Sequence, residues 1–152
     1  MRRARKRKPT PKYGRRTVTK GITAKRLAAA SPSASAFLEA LLTPDGRVAL
    51  DRAMQELHVS KANLAETIGV APETLQRSAR VEAPKTQARL REMLEILAPV
   101  SSWAGGRVQA MAWYRAEPIP TFGGRTAESL VKEGKAAAVR DYLDGVALGS
   151  FA

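Results

Sequence analysis

Trp113-Tyr114-Arg115, then Pro118-Ile119-Pro120-Thr121-Phe122-Gly123-Gly124-Arg125-Thr126, then Gly134 and the run from Lys135 to Gly149 decide how this chain folds. Glycine and proline punctuate that stretch, and short segments of helical spacing lie between them. Pro118 to Pro120 predicts an extended crossing. Thr126 can cap a short helix that ends at Gly134. Val139, Tyr142, Leu143 and Val146 recur at i, i+3, i+4 and i+7, which predicts a last amphipathic helix. Gly149 lets that helix end sharply. Ser150, Phe151 and Ala152 then extend beyond it with a hydroxyl, a ring and a carboxylate.

Working upstream, the helical reading continues. Gly105-Gly106 precedes a helix holding Val108, Met111, Ala112 and Trp113. Leu90, Met93, Leu94 and Leu97 form a core stripe ended by Pro99. Val48, Leu50, Ala53, Met54 and Leu57 predict a further helix with His58 at its end. A lone histidine in a chain without cysteine makes no persuasive metal site, so His58 reads as a helix-terminus residue. Thr43-Pro44-Asp45-Gly46 is turn chemistry. Ser31-Pro32, an N-cap followed by an N1 proline, starts a helix that runs to about Leu42 with Phe37, Leu38, Leu41 and Leu42 inward. Strand-forming residues are sparse and there is no repeat or heptad, so the fold is all-α. The expected organisation is a basic arm over 1–30, a helical domain over 31–100 and a small C-terminal helical domain over 101–152.

Residues 60–80 read as a helix-turn-helix. Ser60 can cap the first helix, and Ala65 is small where two helices would cross. Gly69 supplies a positive φ in the turn. Pro72 suits the first position of the second helix. Leu64, Ile68, Val70 and Leu75 supply the core. The pattern resembles the helix-turn-helix of phage-repressor-like regulators. If Leu75 points inward, Glu73, Gln76, Arg77 and Arg80 share the opposite face. Their chemistry can read base edges: arginine to guanine, glutamine to adenine, a carboxylate to the cytosine amine. Thr74 and Lys85 could take phosphates. The plain alternative is a pair of packed helices with a solvated face.

The formal charge of +12 is not a property of the whole chain. Of its 26 Lys/Arg, 12 lie in residues 1–36, ahead of the first acid, Glu39; the remaining 14 face 14 acids. The molecule is therefore a neutral body with a basic arm. Such a block of like charge repels itself and rarely folds alone. Arg2, Arg3, Arg5, Lys6, Arg7 and Lys8 are its densest part and could contact phosphates nonspecifically, releasing counterions. The other reading is a solvated tail. Met1-Arg2-Arg3 opens like an export signal, but no apolar region follows, so no signal peptide is expected. No run approaches a membrane span. The absence of cysteine excludes a disulfide framework and fits a reducing cytoplasm.

Trp113-Tyr114-Arg115, Pro118, Gly123-Gly124-Arg125-Thr126, Leu130, Gly134, Val139, Leu143 and Gly149 together resemble the toxin-binding domain of Xre/MbcA/ParS-type antitoxins. The likeness covers about 103–152, and with the preceding helices roughly 37–152; the basic arm lies outside it. The family often has proline where Ala127 stands and an aliphatic residue where Tyr114 stands. The resemblance implies a RES-domain, NAD-degrading toxin as partner, with the C-terminal segment blocking its NAD pocket. It also implies that the helix-turn-helix represses the shared operon, and that the chain is a homodimer within a larger hetero-oligomer. Gly149, Ser150, Phe151 and Ala152 would form the plug. Arg125, Lys135 and Arg140 could pair with acids at the toxin rim.

No enzyme is expected. With one histidine, no cysteine, no phosphate-loop spacing and scattered acids, nothing assembles a catalytic set. No cofactor or metal is expected either. The leading expectation is an antitoxin that occludes its toxin and binds operator DNA. The alternative is a DNA-binding regulator without a toxin, whose C-terminal block only dimerises. A third reading, an RNA- or ribosome-associated protein led by the arm, lacks the exposed aromatic platform single-strand binders use.

Overall fold

The computed structural model describes residues 34–149, and among them the fold is all-α, with eight helices and no strand. The basic arm, the Ser31-Pro32 cap and Ser150 to Ala152 lie outside the described residues.

The first helix, α1, occupies 34–41 and buries Phe37 and Leu41, one turn apart. It leads into a tight loop. Leu42 bridges to Val48, and the Thr43 hydroxyl accepts from the Arg47 amide at 3.1 Å. α2, Leu50–Leu57, buries Ala53 and Leu57 and ends on His58 in the left-handed region (φ 53°), as its position at the helix terminus predicts. Val48 is buried but precedes this helix rather than belonging to it.

α3, Lys61–Ile68, follows the expected signals. The Ser60 side chain accepts from the Asn63 amide at 3.1 Å, and Gly69 closes the helix at φ 74°. Leu64, Ala65 and Ile68 are buried. The next element departs from expectation. Residues 72–81 are not one helix but a 3₁₀ turn, Pro72–Thr74, followed by a single α turn, α4, Ser78–Val81. Arg77 between them is extended, at φ −115° and ψ 122°. Burial explains the break. Leu75 and Val81 both reach the core. On one continuous helix, residues six apart point about 120° away from each other. The kink at Arg77 turns both toward the same interior.

α5, Pro84–Ala104, is the spine of the molecule. Leu90, Met93, Leu94 and Leu97 are buried as the stripe predicts, but the helix does not stop at Pro99. Proline removes the hydrogen bond to the carbonyl four residues back, and its ring crowds that carbonyl. Ala98 and Val100 beside it are buried, and that packing carries the helix on to Gly105 (φ 103°). α5 thus runs through residue 100, where the division between helical and C-terminal domains was expected. One hydrophobic cluster extends from Phe37 to Leu143.

α6, Arg107–Ala116, folds back on α5, burying Met111, Trp113 and Tyr114 and leaving Val108 exposed (41%). Trp103 and Trp113 meet edge to face, 5.8 Å between centroids. A bridge between Ile119 and Arg125 closes a loop containing a 3₁₀ turn, Pro120–Phe122. The expected extended crossing is therefore confined to the residues before Pro120. α7, Ala127–Lys132, and α8, Ala136–Ala147, complete the fold.

Candidate functional site

The C-terminal unit is built from local signals read in order along the chain. Gly123 and Gly124 both take positive φ, 68° and 81°, which turns the backbone within two residues. Thr126 then caps α7, its hydroxyl accepting from the Ser129 amide at 3.2 Å, while the Ser129 hydroxyl returns to the Thr126 carbonyl at 2.9 Å. Ala127, Leu130 and Val131 face the core. Gly134 (φ 79°) reverses the chain into α8, which buries Ala136, Val139 and Leu143 against α5 and α7. Phe122 and Tyr142 pack edge to face at 6.0 Å, joining the 3₁₀ turn to α8. Leu148 is 81% exposed at the end of α8, immediately before Gly149 (φ 79°).

The cations expected at a partner's rim are not equivalent. Arg125 and Lys135 converge on one carboxylate, Glu133, from opposite sides of the Gly134 turn; the Lys135 contact is 3.4 Å. Arg140 is held by Glu95 of α5, also at 3.4 Å, and Glu95 carries Arg91 as well at 3.1 Å. Glu133, Glu95 and Leu148 are the residues that sequence reasoning missed. Glu133 stands eight residues after Arg125 and two before Lys135, spacings that no helical rule connects. Ser150, Phe151 and Ala152 lie outside the described residues.

Two tyrosines shape the electrostatics of this unit. Burial, followed by the Glu128 and Glu92 carboxylates, pushes the Tyr114 hydroxyl well above the ordinary value of 10.0. Burial, and then Glu117, raises Tyr142 as well. Buried indole N–H groups of Trp103 and Trp113 and the Tyr114 hydroxyl find no hydrogen-bond partner among the described residues.

The residues expected at a nucleic-acid interface are placed differently from the expectation. Glu73, Gln76, Arg77, Arg80 and Lys85 are exposed and Thr74 is half-buried. Glu73 and Thr74 belong to the 3₁₀ turn, Gln76 and Arg77 to the break, Arg80 to α4 and Lys85 to α5. The common helical face expected for Glu73, Gln76, Arg77 and Arg80 is therefore absent, because the kink that buries Leu75 and Val81 divides it. Arg2, Arg3, Arg5, Lys6, Arg7 and Lys8 lie outside the described residues.

No helix among the described residues is long and apolar enough to cross a membrane. No curated protein and no solved structure gives a significant match to the chain. A protein-family match does exist: residues 100–149 fit the antitoxin Xre/MbcA/ParS C-terminal toxin-binding domain. The matched stretch begins near the end of α5 and closes on Gly149, so it contains the glycine turns, the Thr126 cap and both terminal helices. Over those residues the chain is similar to the toxin-binding domain of Xre/MbcA/ParS-type antitoxins.

Proposed function

We propose that this chain is an antitoxin that neutralises a RES-domain toxin by occluding its NAD pocket with the segment Gly149, Ser150, Phe151 and Ala152. It acts as a cytoplasmic binding protein, not as a catalyst. The observation that carries the reading is the toxin-binding domain itself, whose last helix delivers an exposed Leu148 and a left-handed Gly149 at its end. An apolar side chain left out of the core at that point supports a partner surface there. Arg125 and Lys135, which share a single counter-ion, leave one net positive charge for acids at a toxin rim. The same chain represses its own operon through residues 60–85, as a homodimer within the toxin complex. The exposed Gln76, Arg77, Arg80 and Lys85 support contact with operator DNA, with Glu73 and Thr74 beside them.

The test is removal of Gly149 to Ala152, followed by assay of toxin inhibition and of complex formation. The truncated chain is expected to bind the toxin and fail to inhibit it. Full inhibition by the truncated chain contradicts the plug.

A further inference from the structure

The cations of the described residues fall into two populations. From Arg91 onward every lysine and arginine is ion-paired. Arg91 and Arg140 share Glu95, Arg107 takes Glu56, Arg115 lies between Glu66 and Glu128, Arg125 and Lys135 share Glu133, and Lys132 takes Glu128. From Arg52 to Arg89 the pattern inverts. Arg52, Lys61, Arg77, Arg80, Lys85 and Arg89 have no ion-pair partner among the described residues. Two ion pairs help create the division. Arg107–Glu56 and Arg115–Glu66 use acids of α2 and α3 to neutralise bases of α6. What remains uncompensated around the helix-turn-helix region is positive.

A groove of about 660 Å³ opens in that region. It lies between the loop and helix start at 43–52 and the kinked segment 75–82, and both Arg52 and Lys61 line it. Gln76 and Ser78, on either side of Arg77, line it too. Its acids are Asp45, Asp51 and Glu82. Arg47 engages Asp45 at 2.7 Å and Glu82 at 3.3 Å, so those two carboxylates are occupied by one guanidinium. The lining as a whole balances in charge, which does not suit sequestration of a small free anion. Within it, Arg52 and Lys61 outnumber Asp51, which has no ion-pair partner among the described residues, so a net positive charge remains there for a phosphate backbone running past. Arg52 donates one nitrogen to the Ala40 carbonyl at 3.1 Å, which fixes the guanidinium without cancelling its charge. Arg89 is set apart from these cations: it is half-buried, and its guanidinium donates at 3.0 Å to the Ile68 carbonyl at the end of α3.

We propose that Arg52 and Lys61 form a phosphate clamp for double-stranded DNA, set beside the kinked segment and contacting the sugar-phosphate backbone rather than base edges. This rests on the DNA-binding reading above and extends it to two residues outside the segment 73–85. A divided recognition segment presents fewer side chains to one groove than a continuous helix would, so contacts to the backbone carry more of the affinity.

The test uses the full chain and two duplexes of equal length, one from its own upstream region and one scrambled, titrated by anisotropy across a salt series. Arg52→Gln with Lys61→Gln is compared with wild type and with the charge-preserving Arg52→Lys with Lys61→Arg. Loss of two phosphate contacts flattens the slope of log affinity against log salt by about 1.8, and lowers affinity on the order of tenfold at near-physiological salt. The loss is expected to be equal on both duplexes and to be restored by the charge-preserving pair, with an unchanged melting temperature. An unchanged slope on a duplex that wild type binds overturns the clamp, as does a loss confined to one sequence. Failure of wild type to bind either duplex overturns the DNA-binding reading itself, before any variant is examined.

Discussion

At the residue scale, two positions separate conformational strain from packing. Gly46 and Gly69 both take positive φ, 83° and 74°, but a Cβ on Gly46 meets open space. A Cβ on Gly69 falls 3.1 Å from Lys132 Cγ and 3.3 Å from Arg89 Nη1. Gly46→Ala should cost only the left-handed conformation, about 1 kcal/mol. Gly69→Ala should cost visibly more, because two side chains must also move. Urea unfolding of both variants checks this, and equal losses would mean that α7 does not press on the turn. Tyr114 offers a prediction of opposite sign. Its hydroxyl is buried without a partner among the described residues, so Tyr114→Phe should be neutral or stabilising by about 1 kcal/mol near neutrality. Because burial raises the Tyr114 value above 10.0, its neutral form favours the fold at lower pH. That contribution is lost as pH climbs from the unfolded value through the raised one. Tyr114→Phe should therefore resist alkaline unfolding better than wild type, measured as the pH midpoint of the tryptophan fluorescence change. A lower midpoint contradicts the assignment.

At the element scale, the segment 75–82 is held by contacts remote in sequence. Gln87 on α5 accepts from the Val48 amide at 2.7 Å and donates to the Val81 carbonyl at 3.0 Å, tying the α1–α2 loop to α4 through one side chain. Gln87→Ala leaves a buried amide without that acceptor and should destabilise by about 1–3 kcal/mol in urea unfolding. No change in midpoint would show that another group takes the amide over. The same elements show what the sequence makes legible. Ser60, Gly69, Thr126, Gly134 and the Leu90 stripe act within one or two helical turns, so their caps, turns and buried faces can be read directly from residue type and spacing. The break at Arg77 carries no glycine or proline. It follows from Leu75 and Val81 competing for one core, a tertiary demand that overrides local helical preference. The continuation through Pro99 has the same origin, since buried Ala98 and Val100 outweigh one missing donor. Glu133 escaped for a related reason: its pairing with Arg125 and Lys135 depends on how the Gly134 turn folds back, not on spacing along a helix.

At the scale of the whole molecule, α5 and a continuous core join the part that carries the cationic surface to the part that carries the toxin-binding domain. Arg107–Glu56 and Arg115–Glu66 run between them but are partly exposed, so each contributes little to stability. Their larger effect is on where uncompensated charge remains. The helices of the matched domain are in place, with both glycine turns formed and Leu148 exposed where α8 ends. That arrangement leaves an apolar side chain exposed where the proposed occluding segment begins. The most direct measurement is co-expression of the full chain with a RES-domain toxin encoded beside it, following cellular NAD, growth and co-purification together. The expected result is that NAD and growth are restored and that the two proteins elute as one complex. Continued loss of NAD with no complex formed would contradict it.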